Sequence, residues 1–207
     1  MDDFRAWIRE RWGLWALGAL TVCLGCWWWQ GRPVGQPAGV LAPAEPVQTE
    51  PETAAPWTFK NHQITPLASF EIRARVLGVE RYRFDRAAEV SPLDFALGWG
   101  AMSDSRVLQD ISVTQRDRWY FWSAGRLSIP ASEVMTHSGN MHLIPATRDL
   151  RQRLLAVKPG QVVELHGQLV RVDGKDGWHW ISSLTRTDTG DGSCEVIWVE
   201  SLNVADR

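Results

Sequence analysis

The sequence predicts a mainly β (α+β) domain that follows a transmembrane helix and a Pro-rich linker. Three observations lead to this prediction: an uncharged apolar run near the N-terminus, a Pro- and Ala-rich stretch behind it, and a series of short segments that alternate apolar and polar residues. A chain of 207 residues has room for one ordinary domain beside these segments. We therefore expect a cytosolic N-terminus at 1–11, a transmembrane helix at 12–31, a linker at 32–57 and an extracytoplasmic β-rich domain at 58–207.

The apolar run from Trp12 to Trp29 predicts the transmembrane helix. No charged residue lies between Arg11 and Arg32, and at ~1.5 Å per residue this interval just suffices to cross the ~30 Å hydrocarbon layer. More arginines precede the run than follow it, and this bias keeps the N-terminus in the cytosol. A single pass through a bacterial inner membrane with a periplasmic C-terminal domain is therefore expected. A cleaved signal peptide explains the run less well, because three tryptophans and not small residues follow it. Lipidation of Cys26 is also disfavoured, because Cys23 stands where a lipidation signal usually has Leu.

Residues 33–56 predict a tether. They are rich in Pro and Ala, contain several acids and include no basic residue. Such a composition favours an extended, semi-stiff chain that forms no packed element. We expect this segment to hold the domain away from the membrane.

The domain is expected to consist of short strands with a helix between strand groups. Alternating patterns predict strands at Phe70–Tyr82 with a bend at Gly78, Ile111–Trp122, Asn140–Ile144, Gln161–Val172 with a return at Trp178–Leu184, and Cys194–Val199. Helical patterns are found at Pro92–Trp99, within Ser128–His137 as a turn or helix, and from a Thr147 cap to about Ala156. The result is a small antiparallel barrel or sheet with one or two short helices. The strands after 158–160 also resemble the strand pair of OB-type barrels, while a β-sandwich or an irregular α+β sheet fits the pattern as well.

The charge balance bears on the partner. Residues 57–207 carry 18 basic and 18 acidic residues, so the folded part is neutral. A domain that binds a phosphate backbone normally has a basic surface, and nucleic acid is therefore a disfavoured partner. An OB-like nucleic-acid-binding domain stays open only as the last of three alternatives.

Two loops, 97–104 and 182–192, combine Trp, Arg and Asp residues on a β scaffold, where binding sites tend to lie. With a further tryptophan on the strand after the first loop, the predicted ligand-binding residues are Trp99, Asp104, Trp119, Arg186, Asp188 and Asp191. The competing interpretation places Trp99 in the core and pairs Arg186 with one of the two aspartates.

Catalytic patterns are incomplete. The tripeptide at 188–190 matches the core of the aspartic protease signature, but polar residues precede it and too few residues follow it. Cys194 with His142 or His137 would supply a nucleophile and a base, which leaves a Cys-dependent hydrolase or transferase as the alternative function. A buried structural cysteine is the favoured explanation of Cys194, because it stands at the head of an apolar strand. The two histidines lack the companions that complete a zinc shell, so neither a metal nor a cofactor is expected.

Three blocks of the sequence are similar to those of a known protein family. SPLDFALGWGAMSD, NMHLIPA and SSLTRTDTGDGSCE resemble the shared blocks of a family of bacterial single-pass membrane-anchored proteins without an established activity, over most of residues 70–200. The resemblance implies an envelope location and a common domain, and it gives no residue a catalytic role. The sequence thus favours a non-enzymatic envelope protein that contacts membrane lipid through 12–31 and binds a protein or glycan partner.

Overall fold

A computed structural model describes residues 12, 15–22, 32–51, 54–185 and 193–205. The chain divides into a first unit, Met1–Pro33, and a second unit, Val34–Arg207. In the first unit residues 12 and 15–22 are helical, and the other residues of the predicted transmembrane segment, 13–14 and 23–31, lie outside the described residues. In the described part of the chain, no helix is both long enough and apolar enough to cross a membrane.

The second unit is mainly β, as predicted. The strands among its described residues are β1 (Val47–Thr49), β2 (Trp57–Phe59), β3 (His62–Arg81), β4 (Leu93–Gly98), β5 (Ile111–Arg116), β6 (Trp119–Ala124), β7 (Ser138–Pro145), β8 (Val162–Gly174), β9 (His179–Ile181) and β10 (Glu195–Val204). The α-helices are α1 (Ser105–Leu108), α2 (Ala131–Thr136) and α3 (Arg148–Ala156), and 3-10 turns occupy Arg86–Glu89 and Gly100–Ser103. The short helices of residues 54–185 therefore exceed the predicted one or two.

Five strands close into a barrel. β3 pairs antiparallel with both β4 and β8, β4 pairs antiparallel with β7, and β8 pairs antiparallel with β10. The ring is completed by β7 and β10, which run parallel to each other. The sheet is thus mixed, and the expectation of a wholly antiparallel barrel or sheet is wrong at this one pair. Strands β1 and β2 extend the sheet along β3, β9 extends it along β8, and β5 and β6 form a separate hairpin.

The barrel interior is the main core. Alternate residues of each barrel strand point inward, among them Phe70, Ile72, Phe95, Leu143 and Leu165, all at most 1% exposed. Burying each such side chain stabilises the fold by about 1.5–3 kcal/mol. A second apolar layer lies outside the barrel on β3, β7, β8 and β10, where Trp57, Phe59, Trp178, Trp180 and Trp198 pack over buried aliphatic side chains.

The segment predicted as a helix at Pro92–Trp99 is strand β4. Its three large apolar residues, Leu93, Phe95 and Leu97, are spaced by two and all enter the barrel core, which is the period of a strand and not that of the short helix expected here. The whole strand is buried. A strand covered on both faces loses the polar alternation that would have identified it.

Three further predictions concern the segment 111–122, Gly78 and the helix after Thr147. The strand expected at Ile111–Trp122 is the hairpin β5–β6, whose turn residues Asp117 and Arg118 have φ of 52° and 69°. The irregularity at Gly78 is confirmed by a register shift between Val76 and Gly78 in the pairing of β3 with β4. Helix α3 is confirmed with its cap, since the Thr147 hydroxyl accepts a hydrogen bond from the Leu150 amide.

Residues 34–49, which we call the strap, are extended as expected but pack against the barrel instead of running free. The Val34 amide donates to the Pro159 carbonyl, the Ala42 amide donates to the Ser103 hydroxyl at 3.0 Å, and β1 pairs with β3. Ala42 is fully buried. Composition could not predict this docking, because the strap uses backbone groups and small side chains that any Pro- and Ala-rich segment possesses.

Candidate functional site

The outer face of β4 and β7 carries buried polar side chains. Because Leu93, Phe95 and Leu97 fill the barrel, Asp94 points outward, and β7 presents His142 and Asn140 on the same face. Asp94 pairs with His142 across the two strands, and Ala96 pairs with Asn140. Asp94, Asn140 and His142 are each at most 2% exposed. Burying such groups costs free energy unless they find partners, so their contacts decide what this face can do.

Arg118 covers this face from the turn of the β5–β6 hairpin. Its Nη1 lies 2.8 Å from Asp94 Oδ1, and its Nη2 lies 2.8 Å from Asp85 Oδ1 and 2.9 Å from the Ser91 carbonyl oxygen. The Arg118 amide also donates to the Tyr82 hydroxyl at 3.0 Å. The left-handed turn thus aims one guanidinium at two carboxylates.

The remaining contacts of Asp94 join the histidine and an amide chain. Asp94 Oδ2 lies 2.9 Å from His142 Nδ1, a close contact that does not meet the geometry of a hydrogen bond. Asn140 donates to Asp94 at 3.3 Å and to the Arg118 carbonyl at 2.9 Å, and it accepts from Gln115 at 2.7 Å. We call Asp85, Asp94, Arg118, Asn140 and His142 the polar cluster.

Three aromatic side chains and two arginines form a row of contacts beside the polar cluster. The guanidinium of Arg86 lies 5.2 Å from the Trp178 ring, Trp178 lies 6.1 Å from Trp180, and the guanidinium of Arg118 lies 5.6 Å from Trp180 and 3.7 Å from Tyr82. We call these five residues the aromatic row. Because Tyr82 is partly buried and near the Asp94 carboxylate, its pKa is raised well above its ordinary value.

His142 joins the two groups. Its ring lies 4.4 Å from the Trp180 ring at an angle of 43°, while its Nδ1 faces Asp94. Cation–π and ring contacts of this kind hold aromatic side chains in fixed positions. The aromatic row is therefore supported from beneath by the buried polar cluster.

The first residues of β10 lie next to this face. The Ser183 amide donates to the Cys194 carbonyl at 3.0 Å, and Glu195 is buried. Burial raises the pKa of Tyr120, while the hydrogen-bond contact of its hydroxyl with Ser138 at 3.2 Å acts in the opposite direction and the Glu195 carboxylate raises it further. Polar groups thus continue from β7 onto β10.

Two of the predicted site residues, Trp99 and Asp104, are hydrogen-bonded to the strap. Trp99 is 1% exposed, and its indole N–H donates to Glu45 Oε2 at 2.7 Å. Asp104 is also buried and accepts hydrogen bonds from the amides of Gly39 and Arg106. These hydrogen bonds lower the pKa of Asp104 to about 2. Trp99 and Asp104 flank the 3-10 turn Gly100–Ser103, and their polar groups hold the strap against the barrel.

The other predicted residues are spread out. Trp119 is half-buried at the start of β6, opposite Arg116. Arg186, Asp188 and Asp191 lie outside the described residues. The predicted set therefore does not form one cluster among the residues that the structure describes.

Sequence reasoning missed Asp94, Arg118 and Asn140. A signal for Asp94 was present, because it is the one charged residue in the apolar run Pro92–Trp99, and a lone carboxylate in such a run needs a partner when it is buried. Arg118 gave no comparable signal, since its partners lie 24 and 33 residues away.

A metal is not indicated by the described residues, among which His, Cys, Asp and Glu side chains form no group of three or more that could hold one. Comparisons of the chain with protein-family models, curated proteins and solved structures found no match. The polar cluster and the aromatic row are therefore the features of the chain that bear on its function.

Proposed function

We propose that the chain is a single-pass membrane-anchored protein of the bacterial envelope whose second unit is a non-enzymatic, OB-type module that binds a glycan. The sequence favours a protein or a glycan partner, and the aromatic row is the observation that favours the glycan. The resemblance of its sequence blocks to membrane-anchored proteins supports the envelope location.

The strand order supports an OB-type barrel. Numbered within the ring, β3, β4, β7, β8 and β10 are strands 1 to 5, and they pair in the order 1-2-3-5-4-1 with strands 3 and 5 parallel. Helix α3 connects strands 3 and 4. OB barrels bind oligonucleotides and oligosaccharides on the face of strands 2 and 3, between the loop that joins strands 1 and 2 and the loop that joins strands 4 and 5.

The aromatic row occupies the corresponding place. Tyr82 and Arg86 lie in the connection between β3 and β4, and Trp178 and Trp180 lie in the connection between β8 and β10. All three aromatic rings are half-buried, so each keeps an accessible part. Indole and phenol rings pack against the apolar faces of sugars, and neighbouring charged groups bind their hydroxyls. The row offers both kinds of contact on supported side chains.

The same face is poorly suited to nucleic acid. Its central cation, Arg118, is already paired with Asp85 and Asp94, so it has little charge to offer a phosphate. The neutral balance of residues 57–207 provides no basic surface to compensate. An uncharged glycan requires neither a free cation nor a basic surface.

The test is a titration of the chain with soluble N-acetylglucosamine oligomers, followed by tryptophan fluorescence and calorimetry. We expect saturable binding that changes little with salt. Trp178→Ala and Trp180→Ala should each weaken it about tenfold, since a stacked aromatic contact is worth ~1 kcal/mol or more. Phe121→Ala is the control, because Phe121 is an exposed aromatic residue on β6 outside the row.

Two results would contradict the proposal. One is the lack of binding to the oligomers and to purified cell-wall glycan alike, and the other is binding that Trp178→Ala and Phe121→Ala weaken equally. Retention of single-stranded DNA that is lost as salt increases would support the nucleic-acid alternative instead. A protein captured by crosslinking in a manner that depends on Trp180 would replace the glycan with a protein partner.

The membrane anchor has its own test. Alkaline phosphatase joined to the C-terminus is active only when it is exported, so an active fusion is expected from the predicted orientation. An inactive fusion would overturn the topology. Extraction of the chain from membranes by detergent, but not by salt or alkali, is expected as well.

A Cys194-dependent hydrolase or transferase is the second candidate, and one observation favours it. His142 has a carboxylate beside one ring nitrogen, as a catalytic base requires, and Val196, two residues after Cys194, pairs with His142 across β10 and β7. Rapid reaction of the folded chain with iodoacetamide near neutral pH would support this candidate. A thiol that reacts only after unfolding would remove it.

A further inference from the structure

A cavity with a volume of about 220 Å³ lies in the second unit, and no residue of the aromatic row lines it. It is enclosed by the turn between β2 and β3, the segment that leads into β4, and the start of α3. Its apolar lining includes the buried residues Val90, Pro92 and Pro145, and Phe59 adds an aromatic wall. The walls of the cavity formed by these residues are thus apolar.

Three cationic side chains line the same cavity: Lys60, Arg148 and Arg151. None of them takes part in an ion pair with another residue that the structure describes. Arg148 and Arg151 are exposed and lie on successive turns of α3, so their guanidinium groups are free to move over the opening.

Lys60 is held in place. It has a left-handed backbone with φ of 54°, its amine donates to the Glu89 carbonyl, and it lies 5.2 Å from the Phe59 ring centre. The pKa of Lys60 is lowered, first by burial and further by the positive charge of Arg151, while the charge of Glu89 acts in the opposite direction. Lys60 and Arg151 are therefore close enough to repel each other, and a bound anion would relieve that repulsion.

The start of α3 adds further positive potential. Thr147 caps the helix by accepting a hydrogen bond from the Leu150 amide, and the amides of Arg148 and Asp149 belong to the first turn, where N–H groups have no partner inside the helix. The N-terminal end of a helix carries a partial positive charge and often binds anions. Here the helix end coincides with an apolar recess and three unpaired cations, and each is an independent observation.

We propose that this cavity binds a small organic anion that combines one apolar group with one carboxylate or phosphate group. The apolar group enters between Phe59, Pro92 and Pro145, and the anionic group meets Arg148, Arg151 and the start of α3. The volume is below that of pockets for drug-sized ligands, so the apolar group is about the size of one ring or one short aliphatic chain. This site does not depend on the glycan proposal.

The test is a calorimetric titration of the full chain with phenylacetate and phenyl phosphate, which distinguish a carboxylate from a phosphate. Inorganic phosphate and benzyl alcohol each lack one of the two required groups. We expect at least one of the aromatic anions to bind more than about tenfold tighter than either of these, because each group contributes on the order of 1.4 kcal/mol or more. Amide chemical shifts should change at Ala146 and Thr147, and those of the aromatic row should not.

Charge substitutions identify the cations. Arg148→Gln combined with Arg151→Gln should weaken binding at least about tenfold, since each removes one charge-assisted contact. Arg83→Gln combined with Arg126→Gln is the control, because it removes the same two charges from exposed residues that do not line the cavity. The proposal is overturned if neither aromatic anion binds at millimolar concentration, if benzyl alcohol binds as tightly, or if the double variant and the control behave alike.

Discussion

Arg118 is the cation of the polar cluster, and its removal would leave Asp85 and Asp94 facing each other without a positive charge between them. Asp94 is fully buried and the Arg118 side chain is 16% exposed, so water screens the pair only weakly. Breaking a buried ion pair by removing one partner is far more costly than replacing both partners. The stability of this face should therefore depend on the pair and not on either residue alone.

We predict that Arg118→Met lowers the free energy of unfolding by on the order of 3 kcal/mol. Arg118→Met combined with Asp94→Asn should recover part of that loss, because the unpaired buried charge is removed. Arg116→Met is the control on the same hairpin, since Arg116 is exposed and stacks only on Phe121. Urea unfolding of the three variants measures the difference. Equal losses for Arg118→Met and Arg116→Met would show that the buried pair has no special role.

Asp104 makes stability depend on pH in the acid range. Hydrogen bonds from the Arg106 and Gly39 amides lower its folded-state pKa to about 2, below its unfolded value near 3.9. A lowered pKa means that the unfolded chain binds the proton more tightly, so Asp104 stabilises the fold above pH ~4 and that stabilisation is lost as pH falls towards about 2.

The corresponding variant is Asp104→Asn, whose amide oxygen can still accept from Gly39. We predict that wild type is more stable than Asp104→Asn at pH 6 and that the difference shrinks to near zero at about pH 2, as measured by urea unfolding across pH. Other carboxylates with lowered pKa values, such as Asp173 and Glu164, contribute equally to both proteins and cancel. A difference that does not change with pH would contradict this account.

Among the elements, those defined by local chemistry were predictable. Helix α3 follows from its Thr147 cap and from leucines at helical spacing, and strand β8 follows from its alternation. β4 was not predictable as a strand, because the β5–β6 hairpin covers what would be its polar face, with Gln115 and Arg118 in contact with Asp94. A buried strand with both faces covered has the composition of a buried helix, and only its pairing partners identify it.

The candidate site was predictable to a smaller extent. The sequence pointed to loops rich in Trp, Arg and Asp, but Trp99 and Asp104 contact the strap, and the residues that meet on the outer face come from four separate elements. Arg118 reaches Asp94 and Asp85 only because the hairpin folds back over β4 and β7. Contacts between distant segments leave no periodic signal in a single sequence.

The docking of the strap can be tested at Ala42. Its side chain is fully buried, whereas Ala44, two residues later, is exposed. We predict that Ala42→Glu releases the strap, because a carboxylate cannot enter that space without a partner. Hydrogen exchange at the Gly39, Leu41 and Ala42 amides, which donate to Asp104 and Ser103, should then accelerate. Ala44→Glu is the matched control and should leave this exchange slow; acceleration in both variants would refute the docking.

At the scale of the whole molecule, closure of the barrel brings the site together. Strands β3 and β8 are about a hundred residues apart along the chain and pair along the whole of β8, and the parallel pair β7–β10 aligns His142 with Val196. These pairings place the connections that hold Tyr82 and Trp180 on the same side of the barrel. A sheet left open at either position would separate the two halves of the aromatic row.

Gly167 lies where closure is tightest, and it provides the test of this argument. It pairs with Phe70 on β3 and with Val199 on β10, so β8 is joined to both neighbours at this one residue. A Cβ atom at this position would overlap the Trp198 carbonyl oxygen, which belongs to the backbone and cannot rotate away. We therefore predict that Gly167→Ala lowers the free energy of unfolding by about 2 kcal/mol or more, because the two strands must separate locally.

The matched control is Gly125→Ala, since a Cβ atom there would meet nothing within 4 Å and the residue follows the β5–β6 hairpin outside the barrel. That change should alter stability by less than about 1 kcal/mol in either direction. Urea unfolding followed by far-UV circular dichroism compares the two variants. If the position of the aromatic row depends on barrel closure, Gly167→Ala should also weaken glycan binding in conditions where the chain is still folded. The reason is that the connection that holds Trp178 and Trp180 is attached to β8. Unchanged binding with reduced stability would show instead that local contacts with Arg118 and His142 hold the aromatic row, and that the pairing of β8 with β3 and β10 is not required.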